Sequence, residues 1–231
     1  MKRCYRTVGV EPVDSAFTLV LDGKSMPTPA RRPMIVPSAA LADAIAGEWR
    51  AQVDMIKPET MPLTRLVVTA IDRVADHRDQ VVAQIASFGQ TDLLCYPAAL
   101  PLELARRQQE LWQPLLDWAR RRFDLSLNIS KGIVPVSQSP RLLGALTAVV
   151  AGYDDLTLAA LHAATTASGS VIIGLAVVEG QTGVDLAWQA SQVDESFQSE
   201  RWGEDAEARA RGLALRAELE AAARLIALAA A

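Results

Sequence analysis

The densest group of side chains able to do acid–base chemistry lies between Gln192 and Arg211. There Asp194, Glu195, Glu200, Glu204, Asp205 and Glu207 are set around Phe197 and Trp202. Arg201 is the sole cation between Asp194 and Glu207, so this run is net −5 in a chain whose formal charge is −4. Three readings suit such a segment. Glu200 and Glu204, four residues apart, share a helix face and would serve a hydrolase as paired acid and base. Aromatics among charges are equally the ingredients of a protein interface, an apolar anchor with a polar rim. The third reading buries Phe197 and Trp202 in a core and leaves the carboxylates to solubilise their helix. Spacing alone leaves all three open.

Elsewhere the catalytic inventory is thin. His77 and His162 are the only histidines, too few for a multi-histidine metal site. His162 sits in an apolar stretch and reads as a satisfied core residue. Asp72 and Asp76, one helical turn apart, precede His77 and could grip a cation, although a solvated helix end explains them as well. Gly169–Gly174 imitates part of a phosphate loop but lacks the Lys-Ser/Thr that reaches the phosphates. No nucleophile elbow is present, and aromatics at 5% are too sparse for a sugar-binding cleft. No metal site is expected from these residues, and the Glu200/Glu204 pair stays as the catalytic alternative.

The elements that must position these groups change character along the chain. Phe17–Leu21 partly alternates, and Asp22-Gly23 predicts a tight hairpin turn. Pro27, Pro29 and Pro33 deny the next stretch a regular ladder. Met34-Ile35-Val36 predicts a short strand, and Ser38 an N-cap for a helix carrying Leu41, Ile45 and Trp49 to about Gln52. From Pro58 the pattern is helical. Leu63, Leu66, Val67, Ala70, Ile71 and Val74 form one apolar stripe, and a second helix ends at Gly89 as its C-terminal cap. Leu93–Tyr96 fits a strand or a buried turn. Leu102–Phe123 is predicted helical with Leu111, Leu115 and Trp118 on one face, kinked or restarted at Pro114. Residues 125–136 suggest a hairpin around Lys131-Gly132. Helices follow over about 139–151, 155–168, 170–180, 183–201 and 204–229. The fold class is therefore α+β, with a small β-rich domain over 1–57 and a larger helical domain over 58–231.

Composition closes off other classes. Before Pro58 there are 8 basic and 6 acidic residues, and after it 15 and 21, which argues against nucleic acid. Leu158–Val178 is long enough to span a bilayer, yet Thr165, Thr166, Ser168, Gly169 and Ser170 at its centre predict two buried helices meeting there, with no membrane insertion. Cys4 and Cys95 lack metal or redox spacing, so a reducing compartment is expected, with Cys95 in the core. The N-terminus has no apolar h-region and does not read as a secretory signal.

Seven segments together resemble a known family. They are LDGKSMPTP at Leu21–Pro29, EWRAQ at Glu48–Gln52, KPETMPLTRLVVTAID at Lys57–Asp72, TDLLCY at Thr91–Tyr96, the run Trp112-Gln113-Pro114-Leu115-Leu116, SGS at Ser168–Ser170, and FQSERWGED at Phe197–Asp205. In this order they resemble the assembly chaperones of the F-type ATP synthase that hold the α subunit of its catalytic head. The resemblance implies a small β-containing N-terminal domain, a larger helical domain, no enzymatic activity and no cofactor. It implies a monomeric protein that binds the unassembled α subunit until the β subunit arrives. The family's late-helix pattern, apolar–acid–Glu–any–aromatic–Gln, falls on Val193–Gln198 and carries function onto Glu195, with Phe197, Gln198, Trp202 and Glu204 as its partner-binding neighbours. Members occur in mitochondria and in alphaproteobacteria. A start without a presequence fits the bacterial cytoplasm, the mitochondrial matrix being the eukaryotic counterpart.

Overall fold

The computed structural model describes residues 2–130, 135–203 and 205–231. The chain forms two compact units that are not colinear with the sequence. The first takes Met1–Arg78, Asp154–Ala160 and Arg224–Ala231, and the second takes Asp79–Tyr153 and Leu161–Ala223. The class is α+β: a small antiparallel sheet opens the chain, and mostly helix follows.

In the first unit, β1 (Val8–Val13) pairs with β2 (Ala16–Leu21), Val8 opposite Leu21 and Val13 opposite Ala16. Sequence reading found β2 but not β1, because Pro12 weakens the strand signal. Proline is tolerated there because β1 is an edge strand. Asp22 and Gly23, with φ of 50° and 74°, form the predicted two-residue turn into β3 (Lys24–Ser25). β4 (Ile35–Val36) also pairs with β2, through Thr18 and Phe17. Thr18, Leu19 and Val20 are all buried, so both faces of β2 are covered. Between β3 and β4 the proline-rich stretch keeps a single bridge, Pro27 to Pro33.

α1 (Ala39–Arg50) begins where the Ser38 Oγ accepts from the Leu41 N–H at 3.1 Å, and it buries Leu41, Ala42, Ile45 and Ala46. The same hydroxyl donates to the Leu228 carbonyl at 2.5 Å. Near the end of α1, the Glu48 carboxylate accepts from the Leu63 and Thr64 N–H groups, both at 2.8 Å, capping α2 (Pro62–Thr69). Gln52 accepts from the Lys57 N–H at 2.8 Å and donates to Thr60 Oγ1 at 3.1 Å. The segments EWRAQ and KPETMPLT thus depend on one another. A capping carboxylate satisfies helix N–H groups that have no partner within the helix. α2 continues through a π-turn at Ala70–Val74 into α3 (Ala75–Ser87), which kinks at His77 (φ −129°, ψ 31°).

In the second unit, Gly89 is not the left-handed cap predicted for the end of α3. A Cβ there would lie 2.5 Å from Leu146 Cδ2, so its role is close approach. Leu93–Cys95 is a single 3₁₀ turn. α4 (Leu102–Phe123) runs through Pro114 without a break, burying Leu104, Gln108, Trp112, Leu115, Trp118 and Ala119. The buried stripe therefore includes Trp112 in place of the expected Leu111. Residues 125–130 carry no strand, and the turn expected at Lys131-Gly132 lies outside the described residues. A side chain does the pairing a strand would do: Gln138 accepts from the Asn128 N–H and donates to the Asn128 carbonyl, each at 2.9 Å.

α5 (Pro140–Ala151) and α6 (Asp155–Ser168) precede the Ser168-Gly169-Ser170 junction, where Gly169 has φ +70°. α7 (Val171–Val178) is buried at every residue, and α4 and α8 (Val184–Ser191) pack on it. The predicted pair of buried helices is therefore present, and among the described residues no helix is long and apolar enough to cross a membrane. α9 (Val193–Trp202) packs on α4, and α10 (Ala206–Ala229) closes the chain with Leu219, Ala222 and Leu225 buried.

Candidate functional site

α9 is a separate helix because Gln192, at φ −117° and ψ 17°, breaks the single helix expected over 183–201. It buries Val193 and Phe197, one turn apart. At 100° per residue, Glu195, Gln198, Ser199 and Trp202 fall on the opposite side. Observed exposure agrees: Glu195 and Gln198 are exposed, and Trp202 is 77% exposed.

The inner side is an interlocked charge–aromatic cluster. Phe197 is 3% exposed, and the Arg201 and Arg107 guanidinium carbons lie 4.1 and 5.3 Å from its ring centroid. Arg107, on α4, donates to both oxygens of Glu200 at 2.8 Å and to Glu103 at 2.9 Å, while Arg201 donates to Glu103 at 2.7 Å. Each pair alone is worth little in water, but here both guanidiniums also lie over one buried ring. Phe197 therefore fixes α9 on α4 and offers no contact surface.

This arrangement redistributes the six carboxylates. Glu200 has both oxygens engaged by Arg107 and is not a free acid or base, so the paired-carboxylate hydrolase gains no support. Its other half, Glu204, lies outside the described residues. Asp205 accepts from the Ala208 N–H at 2.8 Å as the cap of α10. Asp194 is half-buried and accepts from Gln108 Nε2 at 2.6 Å; burial raises its carboxyl above the usual range, against the lowering effect of that bond. Among the described residues no cation meets Asp194, Glu195 or Glu207. Glu195 is thus an unneutralised carboxylate on the same face as an exposed tryptophan.

The other candidates are occupied by structural work. Asp72 accepts from Thr28 Oγ1 at 2.6 Å and from the Ala30 N–H at 3.0 Å, and Asp76 pairs with Arg32 at 2.5 Å. These carboxylates clamp the proline-rich loop. His162 is half-buried, and burial lowers its pKa. The helix N-terminus in the phosphate-loop imitation is already filled by Asp92. That carboxylate is fully buried and accepts from the Leu94, Val171 and Ile172 N–H groups at 3.0, 2.8 and 3.4 Å. Desolvation raises it to about 6. Cys4 and Cys95 are both free thiols, Cys95 buried.

Two concave surfaces were not foreseen. In the first unit a cavity of about 830 Å³ is lined by Ile35, Val67, Ile71 and Ile226 and by the π-turn. On its rim Arg32 holds Asp76, Arg78 holds Asp155, and Asp154 accepts from the Thr157 N–H. In the second unit a groove of about 390 Å³ lies between the 94–99 segment, α4 and Ile129. Leu102 and Ile129 in its lining are 75% and 46% exposed. The sequence signal was the run PAALP at 97–101, apolar residues with neither a helix nor a strand to bury them.

Comparison with known proteins follows the same lines. Residues 2–120 match the family profile described as "ATP12 chaperone protein", just over half of the chain. The crystal structure of Atp12 from Paracoccus denitrificans superposes with a TM-score of 0.92 at 41% identity, over 99% of this chain and 98% of that one. An aspartate-to-lysine mutant of P. denitrificans Atp12p gives 0.92 at 40% identity, over 99% and 97%. The mitochondrial protein atp12 of Schizosaccharomyces pombe is 24% identical over 214 residues, 87% of this chain and 74% of that protein. The profile stops before α9, but the full-length structural relatives carry the likeness across it. By profile, sequence and fold together, this chain belongs to the ATP12 chaperone family.

Proposed function

We propose that this chain is an assembly chaperone of the F-type ATP synthase catalytic head, binding the unassembled α subunit through the outer face of α9. One observation carries the choice of face. Glu195, Gln198 and Trp202 lie together in solvent, with no cation on the carboxylate among the described residues, while Glu200 and Arg201 on the inner side are paired with Arg107 and Glu103 of α4. Family membership supports the chaperone role, and the α subunit as client rests on the sequence resemblance.

The physical rationale is interface protection. An unassembled subunit exposes apolar contact surface, which aggregates. A chaperone covering part of that surface with one aromatic anchor and steering carboxylates binds firmly enough to shield it. It yields when the true partner offers a larger interface. Trp202 supplies the anchor and Glu195 the steering charge. Phe197 acts from behind by seating the helix.

Co-expression with the α subunit tests the proposal. The native chain is expected to keep that subunit soluble and to co-purify with it without added nucleotide or metal. Glu195→Lys is expected to lower recovery of the complex about tenfold with an unchanged helical circular dichroism spectrum. Normal recovery with Glu195→Lys removes Glu195 from the site, and an α subunit that stays insoluble beside the native chain removes the client assignment.

A further inference from the structure

The second-unit groove has two features that a merely imperfect surface would lack. Its floor is rigid, because Trp112 is 3% exposed and its indole N–H donates to the Ala190 carbonyl at 2.8 Å. Its wall ends on a buried polar relay. Gln108, 1% exposed, accepts from the Ala98 N–H at 2.7 Å and donates to Asp194 at 2.6 Å. The Asp194 carboxylate is thus one side-chain amide away from the groove lining.

The charge around this junction is one-sided. On α4, Arg106 pairs with Glu110 at 2.9 Å and Arg107 with Glu103 and Glu200; on α9, Arg201 pairs with Glu103. Asp194 and Glu195, adjacent in the first turn of α9, receive no cation among the described residues. A carboxylate taken partly out of water without a cation is poorly compensated, and an incoming ammonium or guanidinium is what it favours most. Meanwhile exposed Leu102 and Ile129 flank a concavity able to take an apolar side chain. In the larger cavity of the first unit, Arg32 and Asp155 are ion-paired and the exposed Asp154 serves as a helix cap for the Thr157 N–H, so among the described residues no half-buried carboxylate lacks a cation there.

We infer that the groove and the start of α9 form one bipartite site for an extended segment of the client, with a large apolar side chain in the groove and a lysine or arginine a few residues away on Asp194 and Glu195. This rests on the chaperone reading and specifies the chemistry of the segment that is held. The apolar end gives affinity, and the charged end sets direction along the groove.

The probe is a set of overlapping 15-residue, fluorescein-labelled peptides covering the α subunit, titrated by anisotropy against the intact chain. Peptides with a Leu, Ile, Met or Phe near an Arg or Lys are expected to bind, and exchanging that basic residue for Glu should weaken binding at least about tenfold. Ala105→Phe, which fills the groove, and Leu102→Asp, at an exposed position, should each lower affinity by a similar factor. Asp194→Asn, which keeps an acceptor for Gln108, should reduce both affinity and its salt dependence. Leu213→Asp, on exposed α10, should leave affinity unchanged. Peptide binding that ignores the basic residue, or survives both groove variants, overturns the proposal. So does a native chain that sediments as a dimer and becomes monomeric with Leu102→Asp, since the occupant is then a second copy. If full-length α subunit still co-purifies with the groove variants but not with Glu195→Lys, the groove is wrong and the chaperone reading stands. If peptides bind as expected while the intact subunit is never held, the failure lies in that reading.

Discussion

Asp92 has no solvent exposure, and three backbone N–H groups converge on its carboxylate. Desolvation still dominates, raising its pKa from 3.8 to about 6. The folded state therefore binds this proton more tightly than the unfolded chain does. Ionised Asp92 weighs against folding above about pH 6, and that penalty is relieved as pH falls from about 6 toward 3.8. Asp92→Asn removes the titration. Between pH 7 and pH 5 the native chain should gain roughly 1 kcal/mol relative to this variant, measured by urea denaturation of both at each pH. Trp202 gives the opposite kind of test. At 77% exposure, Trp202→Ala should change stability by less than about 0.5 kcal/mol, yet lower client binding by about tenfold. Sequence spacing could not choose between anchor and core for Trp202 and Phe197, because five residues of helix turn them to opposite sides only once the helix boundary is known. The break at Gln192 sets that boundary, and no proline or glycine marks it.

Helices were legible where a local rule decides them. Ser38 and Ser170 cap α1 and α7 through their own hydroxyls, and the Asp22-Gly23 turn needed only its two residues. Elements decided by distant partners were not legible. β1 exists because β2 pairs with it despite Pro12, and residues 125–130 are held by the Gln138 side chain rather than by a ladder. The groove was invisible for the same reason, since concavity belongs to no single segment. α7 shows how tightly such packing is set. A Cβ on Gly174 would lie 2.4 Å from Thr165 Oγ1 and 3.1 Å from the Thr165 backbone nitrogen. Gly174→Ala should therefore destabilise the chain by about 1–3 kcal/mol despite alanine's better helix propensity, read as a lowered melting temperature. Gly144, with open space around its Cβ position, is the matched control and should gain about 0.5 kcal/mol on becoming alanine.

At the scale of the whole molecule, the first unit is assembled from three stretches of chain and the second from two. Leu225 is fully buried, and the Leu228 carbonyl accepts from Ser38, so the last stretch is integral to the first unit. Deleting residues 224–231 should loosen the β1–β2 hairpin, seen as faster amide exchange at Val10 and Leu19, although those residues are some two hundred positions away in sequence. No composition shift reports this. The charge change near Pro58 is real, but it falls between α1 and α2, within the stretch Met1–Arg78 that belongs to the first unit. The interleaving also has a temporal meaning. On a ribosome the N-terminal sheet emerges first, yet its unit lacks Leu225 and the Ser38 partner until the end of α10 has been made. The sheet is therefore made well before its unit can be completed, and a chain stalled within α10 would leave the first unit unfinished as well as α10 itself.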